Sequence, residues 1–360
     1  MIKVLVVDDS ALVRKLLGQV LGAEADFEVQ FARDGLEAIE RLSVFRPDVV
    51  TLDIQMPNLD GLATLDRIMI EQPCPVVMVS SLTAEGAETT LDALRMGAVD
   101  FVAKPGGAVS LRLDEFAPQV VAKVRAAAGA KLRSTHRLQD RIRHRMGEGL
   151  ASRHRRPGDV QLQPTLAAAV GLGLVLVGTS TGGPPALEAL LTPLPADFPW
   201  PILVAQHMPA SFTGPLAQRL NRLCALTVVE VERATVLVPG VAYIGRGDED
   251  LIVTRRAGEL VGRPATPIEG YPWRPSTNRL VQSAMDHVPA GQLLGVLMTG
   301  MGDDGAQAMA RLKADGGRTI AEAEETAVVW GMPGELVKAG GASFVLPVDK
   351  IAERLRELTP

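Results

Sequence analysis

Short apolar, β-branched segments alternate with helix-like segments along nearly the whole chain of 360 residues. Such alternation favours parallel sheets with helices on both faces. Because domains usually contain about 100–200 residues, we expect two α/β domains. The strands predicted in the first half are Lys3–Val7, a segment near Glu28–Ala32, Val49–Leu52, Val76–Ser80 and Asp100–Val102. Those predicted in the second half are Leu174–Val177, Ile202–Gln206, Val236–Val238, Val241–Ile244, Leu293–Met298, Arg318–Ala321 and Ser343–Leu346.

A basic segment separates the two halves. Between Lys123 and Pro157 there are eleven Lys or Arg residues against two acids. The segment has no Phe, Tyr or Trp to stack on nucleic-acid bases, and few large apolar residues, so we interpret it as a solvated tether. A net charge of −5 gives no global sign of nucleic-acid binding. The predicted boundaries are 1–122 for the first domain, 123–165 for the linker and 166–360 for the second domain.

The composition predicts a cytoplasmic protein without membrane insertion. No apolar run approaches the ~18 residues that a membrane-spanning helix needs. The N-terminal apolar segment turns acidic at Asp8 and lacks the cleavage site of a signal peptide. The two cysteines, Cys74 and Cys224, lie far apart in apolar surroundings, so we interpret them as core residues and not as a disulfide or metal site.

Polar side chains end several predicted strands of the first half. Asp8 and Asp9 follow the first strand, Asp53 the third, Ser80 the fourth and Lys104 the fifth. In a parallel sheet the carboxyl ends of the strands lie on one edge, and ligand-binding sites of such sheets are found at that edge. Clustered carboxylates repel one another unless a hard cation joins them, and Mg²⁺ prefers carboxylate, water and phosphate oxygens. Any one of these acids alone would suit a helix cap, but together with the lysine and the hydroxyl they predict a phosphoryl acceptor.

The first half also resembles a two-component receiver domain. The matching motifs are Asp34-Gly35, Met56-Pro57, Asp60-Gly61 and the run from Gly97 to Pro105. The resemblance implies a doubly wound, five-stranded parallel sheet and a chemotaxis-type histidine kinase as partner. It implies that Asp53 is the phosphoacceptor.

Further roles follow from the same resemblance. The implied switch residues are Ser80, Phe101 and Lys104. The implied Mg²⁺ ligands are Asp8, Asp9, Asp53 and the backbone carbonyl of Gln55. Gln55 stands where relatives often carry Glu, and a backbone contact makes that difference unimportant.

In the second half, an apolar run feeds a glycine-bracketed serine at Leu174–Gly183, and a helix-like segment follows. This is a G-x-S-x-G pattern in a strand–turn–helix context, which predicts a serine hydrolase with Ser180 as nucleophile. Glycines before a helix also suit phosphate, so a nucleotide-binding or redox enzyme is an alternative. The third glycine and the ribose-binding acid of that fingerprint are not convincingly present, and a cofactor titration would discriminate. A second alternative is a signalling module that binds a partner or DNA through the linker, which labelling of Ser180 would test.

The second half contains two histidines that could serve as a general base. His207 ends a predicted strand, whereas His287 lies in a helix-like stretch and is interpreted as a helix-end residue. A histidine at a strand end beside the serine motif is the better base. Asp303 and Asp304 both follow a predicted strand and could orient it, and either could instead cap the next helix. The order Ser…His…Asp differs from the usual Ser…Asp…His of α/β-hydrolases.

These motifs resemble the CheB family of chemotaxis protein-glutamate methylesterases. The matching segments are Gly178–Gly183, Gln206–Pro209, Thr299–Gly305 and Trp330–Pro333, together with the receiver–linker–esterase arrangement. The resemblance implies Ser180 as nucleophile, His207 as base and Asp304 as the orienting acid, because the family's acid directly precedes the glycine. It implies site-shaping and oxyanion roles for Thr181 and the backbone of Met301.

The resemblance also implies the reaction. The enzyme would hydrolyse glutamyl methyl esters on cytoplasmic helices of chemoreceptors, release methanol, deamidate certain glutamines and need no cofactor for the esterase. The receiver would cover the active site until Asp53 is phosphorylated. The sequence departs from the family at Thr179, usually alanine, and at Arg274–Arg279, which only partly keeps Arg-Pro-Ser-Val-Asp.

Overall fold

A computed structural model describes residues 1–81, 83–104, 113–132 and 173–360. The chain divides into two compact units, Met1–Arg137 and Leu138–Pro360. Both units are α/β, as the alternation of strand and helix patterns predicts. Within the described ranges, no helix combines the length and the apolar character needed to cross a membrane.

The first unit is a five-stranded parallel sheet with five helices in its described part. Its strands are β1 (Ile2–Val7), β2 (Phe27–Ala32), β3 (Val49–Asp53), β4 (Val76–Ser80) and β5 (Asp100–Ala103). Its helices are α1 (Ala11–Gly22), α2 (Gly35–Phe45), α3 (Gly61–Glu71), α4 (Ala84–Met96) and α5 (Leu113–Ala128). The strand order is β2-β1-β3-β4-β5, so the chain order reverses between β1 and β3. Open α/β sheets bind ligands outside the strand ends at such a point.

Side-chain caps fix where four of these helices begin. Ser10, Asp34, Asp60 and Thr83 each accept a hydrogen bond from a backbone N–H in the first turn of the helix that follows. Such caps satisfy one of the N–H groups that a helix start leaves without a partner. Because Ser10 caps α1, Asp9 is left outside the helix.

The predicted linker begins inside α5. Lys123 Nζ lies 2.8 Å from the carboxylate of Asp100, and the guanidinium of Arg125 lies 2.9 Å from that of Asp26. These ion pairs attach the first basic residues of the segment to the first unit, in which α5 continues to Ala128. The predicted linker from residue 133 on lies outside the described residues.

The second unit is built on a larger sheet. Its strands are β6 (Leu174–Thr179), β7 (Ile202–Gln206), β8 (Thr227–Val231), β9 (Thr235–Val236), β10 (Val241–Gly245), β11 (Asp250–Arg256), β12 (Glu259–Ala265), β13 (Leu293–Leu297), β14 (Arg318–Glu322) and β15 (Phe344–Leu346). Its helices are α6 (Gly183–Leu191), α7 (Ala210–Leu223), α8 (Thr277–Met285), α9 (Ala306–Ala314), α10 (Met332–Lys338) and α11 (Val348–Leu358). Seven strands pair in parallel in the order β15-β14-β13-β6-β7-β10-β8, which confirms the predicted mainly parallel sheet.

A small antiparallel sheet, β11-β12-β9, adds to this core. The strands β8, β11 and β12 were not predicted from the sequence, and the hairpin of β11 and β12 is only half-buried. Leu251 and Val253 are buried, whereas Arg255 and Arg256 at the end of β11 are exposed. A two-residue turn, Ala257–Gly258, joins the strands with φ of 50° and 87°, and such a turn favours glycine.

The centre of the seven-stranded sheet positions the candidate site. β6 pairs with β7 on one side and with β13 on the other. All three strands are buried along their whole length. The loops that follow them therefore meet at one edge of the sheet, at the point where chain order reverses.

Candidate active site and phosphoacceptor pocket

Three acids gather at the carboxyl ends of β1 and β3 in the first unit. Carboxylate oxygens of Asp8, Asp9 and Asp53 all lie within 4.8 Å of one another. Asp8 and Asp53 are buried, and Asp9 is exposed. Hard oxygen ligands of this kind fit Mg²⁺, which also keeps waters and phosphate oxygens in its shell.

Lys104 bridges the two buried acids. Its Nζ lies 3.0 Å from Asp8 Oδ2 and 2.8 Å from Asp53 Oδ2. Burial raises the pKa of Asp53, and the neighbouring charge of Asp8 adds to this while Lys104 opposes it. Burial would lower the pKa of Lys104, but its contacts with Asp53 and Asp8 outweigh burial and raise that pKa. The pocket therefore holds a surplus of negative charge that a bound cation would relieve.

Of the switch residues implied by the resemblance, Lys104 lies in this pocket, Ser80 ends the neighbouring strand β4, and Phe101 lies within β5. The hydroxyl of Ser80 donates to the carbonyl of Gly86 at 3.2 Å. Thr90 Oγ1, also on α4, lies 2.8 Å from Ser80 Oγ. Phe101 is buried. Gln55 is exposed in the loop after β3.

In the second unit, Ser180 occupies a tight turn between β6 and α6. Its N–H donates to the carbonyl of Thr299 at 3.0 Å, and its carbonyl accepts from the N–H of Gly183 at 2.8 Å. Gly182 has a backbone φ of 75°, a conformation that residues with a side chain rarely adopt. A Cβ on Gly183 would collide with the side chain of Gln206. The glycines of the motif are thus required by the turn itself, and Ser180 remains half-buried at its apex.

His207 lies beside Ser180 at the end of the neighbouring strand. The last paired residues of β6 and β7 are Thr179 and Gln206, and the N–H of His207 donates to the carbonyl of Thr179 at 3.0 Å. Ser180 and His207 therefore occupy the next register position, where parallel strands are about 4.7–4.9 Å apart. Trp273 stacks on the imidazole, with ring centroids 5.2 Å apart and planes 3° apart.

One nitrogen of the His207 imidazole is hydrogen-bonded, and the other has no hydrogen-bond partner among the described residues. His207 Nε2 lies 2.8 Å from Asp304 Oδ2. His207 Nδ1 is buried and has no hydrogen-bond partner in the described part of the chain. A buried nitrogen without a partner is costly unless something binds to it, so the ring is arranged to receive a proton at Nδ1.

Asp304 is the most completely hydrogen-bonded acid of the site. Besides His207, it accepts from the hydroxyl of Ser276 at 3.0 Å, the N–H of Thr277 at 2.6 Å and the N–H of Asn278 at 3.0 Å. Burial opposes its ionisation, but the hydrogen bonds, led by that of His207, outweigh burial and lower the pKa of Asp304. The two backbone donors are the first N–H groups of α8, where a negative charge is favoured.

The loop that follows β13 packs against the turn that carries Ser180. Thr299 Oγ1 donates to the carbonyl of Thr181 at 2.8 Å. A Cβ on Gly300 would lie 2.7 Å from Ser180 Cβ, so the loop approaches as closely as a bare backbone allows. Among the described residues, none accepts a hydrogen bond from the N–H of Met301. This N–H belongs to the residue after Gly300, which lies against Ser180, and is suited to bind a developing oxyanion.

Two of the sequence candidates lie apart from this constellation. Asp303 is exposed and its carbonyl accepts from Ala306 at the start of α9. His287 lies after α8, where its carbonyl accepts from Arg255 at 3.0 Å. The geometry therefore separates Asp304 from Asp303 and His207 from His287 without use of any resemblance.

The sequence analysis missed the residues that hold these groups in place. They are Trp273 on the imidazole, Ser276 and Asn278 on Asp304, and Glu322, whose Oε2 accepts from the N–H of Thr299 at 2.8 Å. Each comes from a segment distant in sequence from the residue it supports. Only Ser276 and Asn278 had a signal in the sequence, because they lie in the segment Arg274–Arg279, which partly keeps a family motif.

Both halves of the chain match known families. Residues 175–355 match the CheB methylesterase family, and residues 4–113 match the response regulator receiver domain. The chain is 58% identical over 358 residues to a protein-glutamate methylesterase/protein-glutamine glutaminase of Rhodopseudomonas palustris, and this match covers 99% of the chain and 98% of the relative. A relative with the same name from Rhodospirillum rubrum is 52% identical over 355 residues, covering 99% of the chain and 95% of the relative.

A solved structure resembles the second unit. The crystal structure of the Thermotoga maritima CheB methylesterase catalytic domain is 38% identical, with a TM-score of 0.51. It matches 53% of this chain and 100% of that domain. The likeness in identity and in fold thus extends over the whole of a known catalytic domain.

Proposed function

The chain belongs to the CheB methylesterase family, and from this membership we propose that it is a phosphorylation-activated protein-glutamate methylesterase. Its substrates would be glutamyl methyl esters on cytoplasmic helices of chemoreceptors, and methanol would be a product. The enzyme would act in the cytoplasm, in adaptation of the chemotaxis response. Relatives that match over nearly their full length carry the name protein-glutamate methylesterase/protein-glutamine glutaminase. Deamidation of receptor glutamines is the second activity that this name suggests.

One observation carries the proposal: the imidazole of His207 is held at Nε2 by Asp304 and is open at Nδ1, at the register position next to Ser180. Because Asp304 has a lowered pKa, it is ionised near neutral pH and can only accept hydrogen bonds. The shared proton must therefore lie on Nε2, which leaves the lone pair on Nδ1. That tautomer is the one that a general base needs.

The proposed reaction follows from these positions. Ser180 Oγ attacks the ester carbonyl as His207 Nδ1 takes its proton, and the ionised Asp304 stabilises the imidazolium that forms. The negative oxygen of the tetrahedral intermediate would lie against the N–H of Met301, with Thr181 shaping the same wall. His207 then returns the proton to the leaving methoxide, and methanol departs. A water molecule then attacks the acyl-enzyme while His207 takes a proton from it. His207 returns that proton to Ser180 Oγ as glutamate is released.

An amide substrate would follow the same path. The leaving group is then ammonia, which needs the proton of His207 even more than methoxide does, because an amide anion does not leave by itself. The acyl-enzyme and its hydrolysis are unchanged. We propose that one site performs both reactions, without a cofactor.

We propose Asp53 as the phosphoacceptor of the receiver. Family membership implies phosphorylation that usually depends on Mg²⁺, and Asp8, Asp9, Asp53 and the carbonyl of Gln55 would hold the ion. Mg²⁺ would neutralise charge on the transferring phosphoryl group. Lys104 would pair with phosphoryl oxygens, and Ser80 and Phe101 would respond to the modified acid.

The remaining proposals concern organisation and partners. We propose a receiver over 1–122, a basic linker over 123–165 and a catalytic domain over 166–360, with the end of α5, residues 123–128, as the part of that linker that continues the receiver fold. A histidine kinase of the chemotaxis type would supply the phosphoryl group. The protein would neither bind nucleic acid nor insert into the membrane.

The test is methanol release from methylated receptors by the full chain, with and without acetyl phosphate. The Ser180→Ala variant should lose activity by a factor of about 10⁶ while it stays folded, because truncation of a half-buried turn residue changes little packing. His207→Ala should lose nearly as much, and the double variant little more than either. Turnover in Ser180→Ala close to that of the wild type would remove Ser180 from its role.

A further inference from the structure

Gln206, the last residue of β7, is buried together with its side-chain amide. Its Nε2 donates to the carbonyl of Ser180 at 3.0 Å and to the carbonyl of His207 at 3.1 Å. One amide group thus reaches the backbone of the proposed nucleophile and of the proposed base. No role has been given to it so far.

These two hydrogen bonds continue the sheet where its own ladder stops. β6 and β7 pair as far as Thr179 and Gln206, and the N–H of His207 makes the last backbone bond between them. Beyond this point Ser180 turns into α6 and His207 leads towards α7. The carbonyl of Ser180 also accepts from Gly183 within its own turn, whereas the amide of Gln206 contacts both carbonyls and so links the two strands directly. The amide therefore acts as an additional rung between the two strands.

Thr179 fixes which way the amide faces. Its hydroxyl donates to Gln206 Oε1, and both side chains are buried. In the reversed orientation, Oε1 would face the two carbonyl oxygens and repel them. The bare Cα of Gly183 leaves room for the pair, since a Cβ there would collide with Gln206 Oε1 and Thr179 Oγ1. Thr179 stands where the sequence departs from the alanine common in the family.

We propose that Gln206, oriented by Thr179, is a positioning residue that sets the distance between the nucleophile and the general base. The inference rests on the proposed function and adds to it two residues that touch neither substrate nor reacting atom. Proton transfer from Ser180 to His207 requires heavy atoms at about 2.6–3.2 Å. Because each carbonyl belongs to the residue that carries a reacting group, a shift of either backbone moves Oγ relative to Nδ1.

A positioning role predicts a specific kinetic pattern. Gln206→Met keeps the length of the side chain and removes both donors, and Thr179→Val keeps the shape and removes the anchor. Both should lower kcat, Gln206→Met on the order of 10- to 100-fold, since a displacement near 1 Å has such an effect. KM should change little, because substrate contacts are untouched. Thr179→Ser retains the donor and should restore kcat close to that of the wild type.

The matched control is Thr319→Val in β14. Thr319 is also buried, and its hydroxyl also makes a buried hydrogen bond, with the carbonyl of Gly341. This variant should lower the melting temperature about as much as Thr179→Val does and leave kcat unchanged. If kcat per folded molecule in Thr179→Val and Gln206→Met equals that of Thr319→Val, the side chains only stabilise the fold and the proposal is wrong.

A double-variant comparison isolates the geometry. In a His207→Ala background the base is absent, so Gln206→Met should cost no further activity although it still lowers the melting temperature. A full additional loss in that background would overturn the inference. The measurement uses methanol release by the full chain, activated with acetyl phosphate. An inactive wild type would refute the proposed function itself, whereas an active wild type with normal Gln206 variants would refute this inference alone.

Discussion

Two buried aspartates, Asp53 in the first unit and Asp304 in the second, lie near the carboxyl edges of their parallel sheets but in opposite environments. Asp53 is the last residue of β3, and Asp304 lies in the loop after β13, each beside a point where the chain order reverses. Asp53 accepts from the N–H of Ile54, contacts Lys104 and lies near Asp8, and its pKa is raised. Asp304 accepts from four donors, and its pKa is lowered.

The difference matches what each acid is proposed to do. A carboxylate that must attack phosphorus has to keep an oxygen accessible, so it cannot be surrounded by donors. A carboxylate that must hold an imidazole in place has to remain ionised and immobile. Both carboxylate oxygens of Asp304 accordingly accept hydrogen bonds. Acids near the carboxyl edges of two parallel sheets are thus held in environments that suit the proposed phosphoacceptor in one unit and the proposed fixed charge in the other.

The largest effect expected from this contrast is in catalysis. Asp304→Asn should lower kcat on the order of 10⁴-fold, because an amide can donate to His207 Nε2 and favour the wrong tautomer. Asp303→Asn is the matched control, since it makes the same substitution at the adjacent, exposed position. Methanol release would be compared at equal folded concentration. If Asp303→Asn lost activity while Asp304→Asn remained active, Asp303 and not Asp304 would be the acid that orients His207.

Asp53→Asn should abolish phosphorylation without harm to basal catalysis. The amide cannot form the acyl phosphate, so labelling with a radioactive phosphodonor should fall to background, and chelation of Mg²⁺ should do the same to the wild type. Activation by acetyl phosphate should vanish in this variant. Stoichiometric, Mg²⁺-dependent labelling that persists in Asp53→Asn would place the acceptor elsewhere and remove one side of the comparison.

A fragment that begins near Val160 tests whether the two units communicate. If the receiver restrains the esterase, the fragment should exceed the unphosphorylated full chain by roughly 5- to 150-fold, the range of a 1–3 kcal/mol coupling. Phosphorylation of the full chain should recover most of this difference. A fragment no faster than the intact chain would exclude inhibition by covering, and activation would then have to come from the phosphorylated receiver itself.

The sequence predicted the placement of the proposed reacting residues better than that of the residues that hold them. Ser180 and His207 directly follow strands, and Asp53 ends one, and each strand has an apolar pattern that is recognisable locally. The carboxyl edge of a parallel sheet was therefore the expected place for all three. Asp303 and Asp304 could not be separated from spacing alone, because the choice depends on which side chain α8 meets in three dimensions. Ser276 and Trp273 reach the site from a segment close in sequence to neither His207 nor Asp304, and no local pattern marks such contacts.

The smallest effect expected concerns stability, and it has opposite signs at the two acids. The pKa of Asp304 is below that of an unfolded carboxyl, so its contribution is fully present above about pH 4 and is lost as the pH falls through the folded pKa. The pKa of Asp53 is raised, so its ionisation opposes folding at neutral pH; this effect begins to shrink as the pH falls through the raised pKa and is gone below the ordinary carboxyl value of about 4.

Asp304→Asn should therefore destabilise the second unit by about 2 kcal/mol near pH 7, because donors now face an amide, and this loss should shrink in acid. Asp53→Asn should leave the first unit as stable or make it more stable at pH 7, with the advantage shrinking in acid. Thermal unfolding of both variants between neutral and acidic pH measures these trends. If Asp53→Asn is as destabilising as Asp304→Asn, and both losses shrink in acid alike, then the two acids are held in the same way. Their difference in role would then have to arise from the phosphodonor or substrate that reaches each site, and not from the environment of the carboxylates.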